Sequence, residues 1–267
     1  MQLIALGLFG LFIAWLITVP LHRFKELRPL TPRDVATEGG TATSAPVAIS
    51  AVYRQAICSN CRHVCSTADA LPVLSWFRGC PDCGKRFPWT VPLVQIGVPV
   101  ALLVTLIQLS GSWVALPYLW LVIVLAAISV VDLRIWLIPY WIPWLGASVG
   151  LVLISIVSIG LGDPSQIFYA VGGGVGAFLL FFILWLIAPS KLGFGDVRMA
   201  LLLGMFLAWL HPVLPIYGLL FGSLFGLLMG LVALVIRKDS RFPFGPGLAL
   251  GAMCAIWFHE VLLGTIL

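Results

Sequence analysis

Two aspartates are the residues most able to do chemistry. Asp132 opens the run Asp132-Leu133-Arg134-Ile135-Trp136-Leu137-Ile138-Pro139, and Asp196 closes Gly193-Phe194-Gly195-Asp196. Each stands where a long apolar stretch meets a short basic turn. A carboxylate at membrane depth is costly to hold, so its presence there marks a functional group. Two such carboxylates brought close cannot both ionise easily and can share one proton. The charged member then activates water as a base while the protonated member polarises a scissile carbonyl, which is aspartic-protease chemistry. The competing reading is a pair of ordinary interfacial contacts, Asp132 with Arg134 and Asp196 with Arg198. Shared depth favours the joint reading, as do the glycines at Asp196, which allow unusual backbone angles and close approach of a peptide. Asp163 falls on the opposite side, Glu260 inside the last apolar stretch as a packing or interfacial residue, and Asp239 in a basic, solvated turn.

The elements that must position the pair are membrane helices. The 267 residues are 61% hydrophobic and 9% charged, with mean hydropathy +1.10, whereas a soluble domain carries about 25% charged residues. The apolar runs far exceed the ~9–11 residues of a barrel strand, so the spans are α-helical. Eight spans are expected: 1–20, 91–110, 116–132, 139–160, 166–188, 197–211, 214–236 and 246–267, the sixth short and able to begin before Asp196. Residues 1–20 lack a basic leader region and a small-residue cleavage site, so they read as a retained anchor. With this count, all 15 Lys and Arg fall in or within a residue or two of the loops 21–90, 133–138, 189–196 and 237–245. The opposite loops, near 111–115, 161–165 and 211–213, hold none. The positive-inside rule then places both termini outside and both aspartates at the cytoplasmic edge. The net charge of +5 is explained by this rule and needs no nucleic-acid partner.

Residues 21–90 form the one sizeable soluble segment. Its Ala/Thr/Ser/Gly-rich part, about 35–50, reads as a linker. Its remainder holds Cys58-Ser59-Asn60-Cys61 and Cys80-Pro81-Asp82-Cys83, a C-x2-C-x18-C-x2-C spacing that suits a tetrahedral four-thiolate zinc site. Four thiolates leave no open position for catalysis, so the ion is read as a structural staple for a loop too poor in core to fold alone. Cys65 and His63 are nearby substitutes that the spacing disfavours, and Cys254 reads as a small packing residue. Gly172-Gly173-Gly174-Val175-Gly176 lies inside a span, where small residues let helices pack closely. Trp113, Trp120, Trp136, Trp141, Trp144 and Trp209 sit near span ends and read as interfacial anchors. Arg134 and Lys191 flank the proposed site in accord with the positive-inside rule, and His211 and His259 read as structural groups on the outer side. The fold expected is an all-α polytopic membrane bundle: residues 1–20 a first helix, 21–90 a cytoplasmic linker and zinc-binding loop, and 91–267 a seven-helix domain.

In this order the motifs resemble those of the type IV prepilin peptidases (leader peptidases), GxGD-type intramembrane aspartic proteases. The resemblance runs over roughly residues 52–260. Cys58, Cys61, Cys80 and Cys83 resemble the family's cytoplasmic zinc loop, and Leu71–Trp76 and Pro92-Leu93-Val94 its flanks. Asp132 through Pro139 resembles the first catalytic motif and Gly193–Asp196 the second. Pro243-Phe244-Gly245-Pro246 resembles the turn near the active site. The resemblance implies that Asp132 and Asp196 are the catalytic pair, that Gly193, Gly195, Phe244, Gly245 and Pro246 line the site, and that zinc is structural. It also implies a substrate: a type IV prepilin or type II secretion pseudopilin, cut at the cytoplasmic face of a bacterial inner membrane after the glycine that ends a basic leader. Many members of the family also methylate the new N-terminus from S-adenosylmethionine. Here the chain departs from the pattern. Trp15–Arg23 lacks the asparagine of the stretch after the first span, Gln95 stands for Glu, and Tyr140 for Asn or Asp. The first two departures weigh against methyl transfer, while the protease motifs are intact. Two other classes compete with a peptidase: a proton- or cation-coupled transporter using the aspartates, and a non-enzymatic assembly scaffold docking through the zinc loop. The ordered motif set argues against both.

Overall fold

The structure, a computed structural model, describes residues 7–14, 56–57, 64–65, 82–84, 90–109, 112–135, 138–189, 192–237 and 244–264. Residues 11–97 form one compact unit and residue 98 onward, with residues 1–10, the other. In the first, β1 (Ala56–Ile57) pairs antiparallel with β2 (Val64–Cys65), Ala56 opposite Cys65 and Ile57 opposite Val64.

Residues 82–84 form a turn, residues 7–14 are helical, and from residue 90 onward the described chain is helices joined by short turns. In order follow α1 (Thr90–Gln108), α2 (Ala115–Ile135), α3 (Trp141–Gly160), α4 (Ser165–Ile187), α5 (Phe194–Leu210), α6 (Leu214–Arg237), α7 (Gly245–Trp257) and α8 (His259–Gly264). Among the described residues, four stretches are long and apolar enough to cross a membrane: Ala115–Leu133, Trp141–Gly160, Ser165–Ile187 and Leu214–Val232. With no water to bond the backbone in hydrocarbon, such segments must satisfy their own N–H and C=O groups as helices. The chain is therefore a multi-pass membrane protein of the helical kind. Pro92–Gln108 and Gly245–Trp257 are shorter apolar helices.

The core is built around α5. Helix α5 packs against α2, α3, α4, α6 and α7 and so is enclosed by protein rather than lipid. Leu202, Leu203, Phe206 and Leu207 are fully buried. By contrast α4 and α6 present Phe168, Leu179, Ile183, Leu227 and Val235 outward, as lipid-facing helices do. Within the glycine run of α4, Gly173 and Gly174 serve close packing as expected, while Gly172 and Gly176 meet nothing within 4 Å. A Cβ at Gly173 would overlap Ala208, and one at Gly174 would press on the Leu201 carbonyl at 3.1 Å. Gly204 of α5 answers from the other side, where a Cβ would overlap the Gly173 carbonyl and Ala177.

Two boundaries differ from expectation. Helix α2 runs past Asp132 to Ile135; α5 begins before Asp196, at Phe194, as the short sixth span allowed, so each aspartate lies inside a terminal helical turn. The last apolar stretch is not continuous: it breaks at Phe258 between α7 and α8. At that break the Trp257 carbonyl accepts from Gln108 Nε2 at 2.9 Å, and Trp257 Nε1 donates to Thr105 Oγ1 at 3.0 Å, tying α7 to α1. Two tryptophans also depart from an anchoring role. Trp209 is buried, stacks on Tyr118 and donates to Ser158 Oγ at 2.9 Å. Trp120 donates to the Gly146 carbonyl at 3.1 Å. Buried indole N–H groups need partners, and neighbouring helices supply them. Trp113, Trp141 and Trp144 remain exposed. In the loop between α3 and α4, hydrogen bonds from Ser165 and Gln166 lower the pKa of the exposed Asp163.

The Gly204 contact makes a direct test. Gly204→Val places side-chain atoms into the α4 backbone and should destabilise the bundle by about 1–3 kcal/mol, read as a lower midpoint of thermal unfolding in detergent. Gly176→Ala meets nothing within 4 Å and should leave that midpoint unchanged.

Candidate active site

Asp132 sits in the last turn of α2 and Asp196 in the first turn of α5, and both are buried, at 5% and 8% exposure. Their carboxylates lie within electrostatic reach of each other. Charge in such surroundings is supportable only with donors, and backbone amides at helix starts supply them. Gly245 N donates to Asp132 Oδ2 at 2.8 Å across 113 residues of sequence. Gly245 is the first residue of α7, and Pro246 follows within the first turn, where a missing N–H costs nothing. Asp132 is thus received by the N-terminus of α7, whose unpaired N–H groups favour a carboxylate.

Asp196 is held in a related way from its own helix. Gly193 caps α5 in extended geometry, φ −74° and ψ 140°. The Asp196 amide donates to the Gly193 carbonyl at 3.0 Å, and the Gly193 backbone hydrogen-bonds the Asp196 carboxylate in return. This reciprocal arrangement satisfies donors that a helix start leaves open.

The two motifs touch through a glycine. A Cβ at Gly195 would lie 2.9 Å from Ile138 Cβ, so the second motif closes on the first only because residue 195 has no side chain. Gly245 is bound by a similar limit, since a Cβ there would stand 2.8 Å from Asp132 Oδ2. Among the described residues Asp196 has no ion pair with Arg198. That guanidinium lies over the Phe194 ring, 4.7 Å from its centroid, and Phe194 in turn packs edge-on against Trp185 and Phe182. Attraction to the ring face occupies the charge and leaves the carboxylate to its backbone donors and to Asp132.

The structure therefore gathers Asp132, Asp196, Gly193, Gly195 and Gly245 into one place, with Phe244 and Pro246 as the neighbours of Gly245. Lys191 and the Arg134 side chain lie outside what is described, as do Cys58, Cys61 and Cys80. Cys83 is half-buried in a turn completed by Gly84 at φ +68°, a left-handed angle that glycine adopts without strain. Gln95 is fully buried and Tyr140 exposed. His211 and His259 make local backbone contacts, with the Val213 amide and the Ile256 carbonyl.

Two family patterns match the chain: the type IV leader peptidase family over residues 119–231, and the bacterial peptidase A24 N-terminal domain over residues 8–109. The chain is 32% identical over 212 residues to the prepilin leader peptidase/N-methyltransferase of Pseudomonas putida, covering 76% of this chain and 72% of that protein. The chain belongs to the type IV leader peptidase family. Other members are similar over more of the length. A type 4 prepilin-like proteins leader peptide-processing enzyme of Escherichia coli is 29% identical, covering 94% of this chain and 92% of its own. A prepilin leader peptidase/N-methyltransferase of Burkholderia pseudomallei is 29% identical, covering 97% and 86%. No solved structure matches. The family's peptidase region, residues 119–231, contains both aspartates and helices α3 to α5.

The contact that sequence reasoning did not reach lies between α6 and α7, at Gly226. Its signal was the spacing Gly218, Gly222, Gly226, which recurs every four residues.

Gly245→Ala tests the geometry. The new methyl displaces the Asp132 carboxylate from the Gly245 amide, and a hydrogen bond to a charged group is worth about 1.5–3 kcal/mol. Peptidase kcat should therefore fall by roughly 10- to 100-fold in protein that still accumulates, measured on membranes of matched protein content.

Proposed function

We propose that this protein is an aspartic endopeptidase of a bacterial inner membrane that removes the basic leader from type IV prepilins or type II secretion pseudopilins at the cytoplasmic face. The single observation that supports this best is the joining of Asp132 and Asp196, two buried carboxylates on different helices, through Gly195 against Ile138 and the Gly245 amide on Asp132. Membership of the leader peptidase family supplies the substrate class. Eight spans, with all the basic loops on the cytoplasmic side, put the pair on the side where a basic leader would be found.

The reaction follows from the shared proton. One carboxylate takes a proton from a water held between the pair, and the water oxygen attacks the carbonyl carbon of the scissile peptide. The protonated partner donates its proton to the carbonyl oxygen, so no free oxyanion forms. Collapse of the tetrahedral intermediate breaks the C–N bond, and the proton passes to the leaving amine. The substrate's hydrophobic helix stays in the bilayer, which makes the encounter effectively intramolecular.

Cys58, Cys61, Cys80 and Cys83 are proposed to hold a structural zinc. Cys58 and Cys61 belong to the segment that links the paired strands β1 and β2, and Cys83 lies in the tight turn with Gly84. Both settings suit a knuckle, and the four thiolates suit the ion. The relatives' names pair the peptidase with an N-methyltransferase. Methylation of the new N-terminus from S-adenosylmethionine is the second reading, opposed by the departures at Trp15–Arg23 and Gln95.

Asp132→Asn and Asp196→Asn should each abolish cleavage of a prepilin in membranes, a loss of at least about 10³-fold if the acid/base step is removed, with protein level unchanged. Normal cutting by either variant would exclude the dyad. Chelation or Cys80→Ser should release one zinc per chain, measured by elemental analysis, and lower the thermal midpoint. The mass of the cleaved N-terminus, with methyl donor present, decides the second activity.

A further inference from the structure

We infer that Gly226 of α6 is a positioning residue for the catalytic pair, acting through Phe244 on the Gly245–Asp132 hydrogen bond; the inference rests on the peptidase reading above. Helix α6 carries Gly218, Gly222 and Gly226 on one buried face. Helix α7 meets that face with Gly247 and Gly251. The approach is at backbone distance. A Cβ at Gly247 would lie 2.5 Å from Gly226 N, and one at Gly251 would overlap the Gly222 backbone. A side chain on either helix would drive the pair apart.

At the cytoplasmic end of this seam the partner changes from backbone to ring. A Cβ at Gly226 would overlap the Phe244 ring itself. Phe244 is the residue that caps α7, and its neighbour Gly245 is the donor to Asp132 Oδ2 at 2.8 Å. The Phe244 carbonyl also accepts from the Leu248 amide at 3.2 Å, so the ring and the first turn of α7 move as one piece. The flat face of Gly226 is therefore the seat that sets where the Gly245 N–H points. A methyl at residue 226 lifts Phe244, swings the start of α7 and takes the amide off the carboxylate. Gly226 lies on α6, one helix removed from Asp132 and Asp196, and the first atoms a side chain at 226 would meet are those of the Phe244 ring.

The test is a double-mutant cycle on kcat and KM for prepilin cleavage by the full-length protein, using Gly226→Ala, Phe244→Leu and the pair. Gly226→Ala should lower kcat at least tenfold and leave KM within about twofold. In the Phe244→Leu background the same substitution should cost less than threefold, because the ring it displaces is gone. Costs that multiply, or wild-type kcat in Gly226→Ala, overturn the inference. If Gly226→Ala does not accumulate, the pair against Phe244→Leu alone carries the same comparison: near-equal kcat supports the role and a further tenfold loss overturns it. The peptidase reading is judged separately, by wild-type cleavage and its absence in Asp132→Asn.

Discussion

A buried carboxylate received by a backbone amide from a distant helix is the constraint on which the structure turns. Asp132 ends a span and is almost entirely removed from solvent. Its charge is supportable there only if a donor arrives from elsewhere, and the donor is Gly245 N at 2.8 Å. That requirement sets where α7 starts, which residue starts it and which face it turns to α6. Glycine is needed at 245 because a Cβ would occupy the space of the carboxylate. Proline suits 246 because the first turn of a helix has no use for that N–H. The tight Gly222/Gly251 and Gly226/Gly247 contacts hold α7 in the place that the hydrogen bond demands.

Helix α5 meets a second demand. It is enclosed by its neighbours to form the core, yet it carries a carboxylate at one end. Placing Asp196 in the first turn reconciles the two, because the helix start supplies its own donors through Gly193 and the apolar remainder fills the bundle. The charge of Arg198, two residues on, is taken up by the face of Phe194 one turn before it rather than by Asp196. The site is therefore assembled from two helix starts, those of α5 and α7, facing the end of α2. Each start brings unpaired N–H groups, and together they make a place in an apolar protein where two carboxylates can be held close.

Much of this was legible in the residues. Asp132, Asp196 and the glycines of their motifs were identified by the cost of a carboxylate at membrane depth, and Phe244, Gly245 and Pro246 by resemblance to the family's turn. Helix existence followed from apolar run length alone. What could not be read was which face of each helix points inward. In a soluble protein that face is marked by polarity, but here both lipid and protein interior are apolar, so hydropathy carries no direction. For that reason Trp209 and Trp120 looked like interfacial anchors, whereas Trp209 is buried and donates to Ser158, and the half-buried Trp120 donates to Gly146. The break at Phe258 was hidden for the same reason: nothing in an apolar run announces that the Trp257 carbonyl will be claimed by Gln108 on α1.

By itself the sequence determined the helical membrane class, the chemistry of two aspartates and the motifs that carry them, because those depend on composition and on local spacing. Only the tertiary structure decided that Asp132 is held by α7, that Gly195 is the point where the two motifs close on Ile138, and that Gly226 seats Phe244. These are contacts between residues far apart in the chain. Their partners are set by which small residues let which backbones approach, and a single glycine carries no record of what it will face.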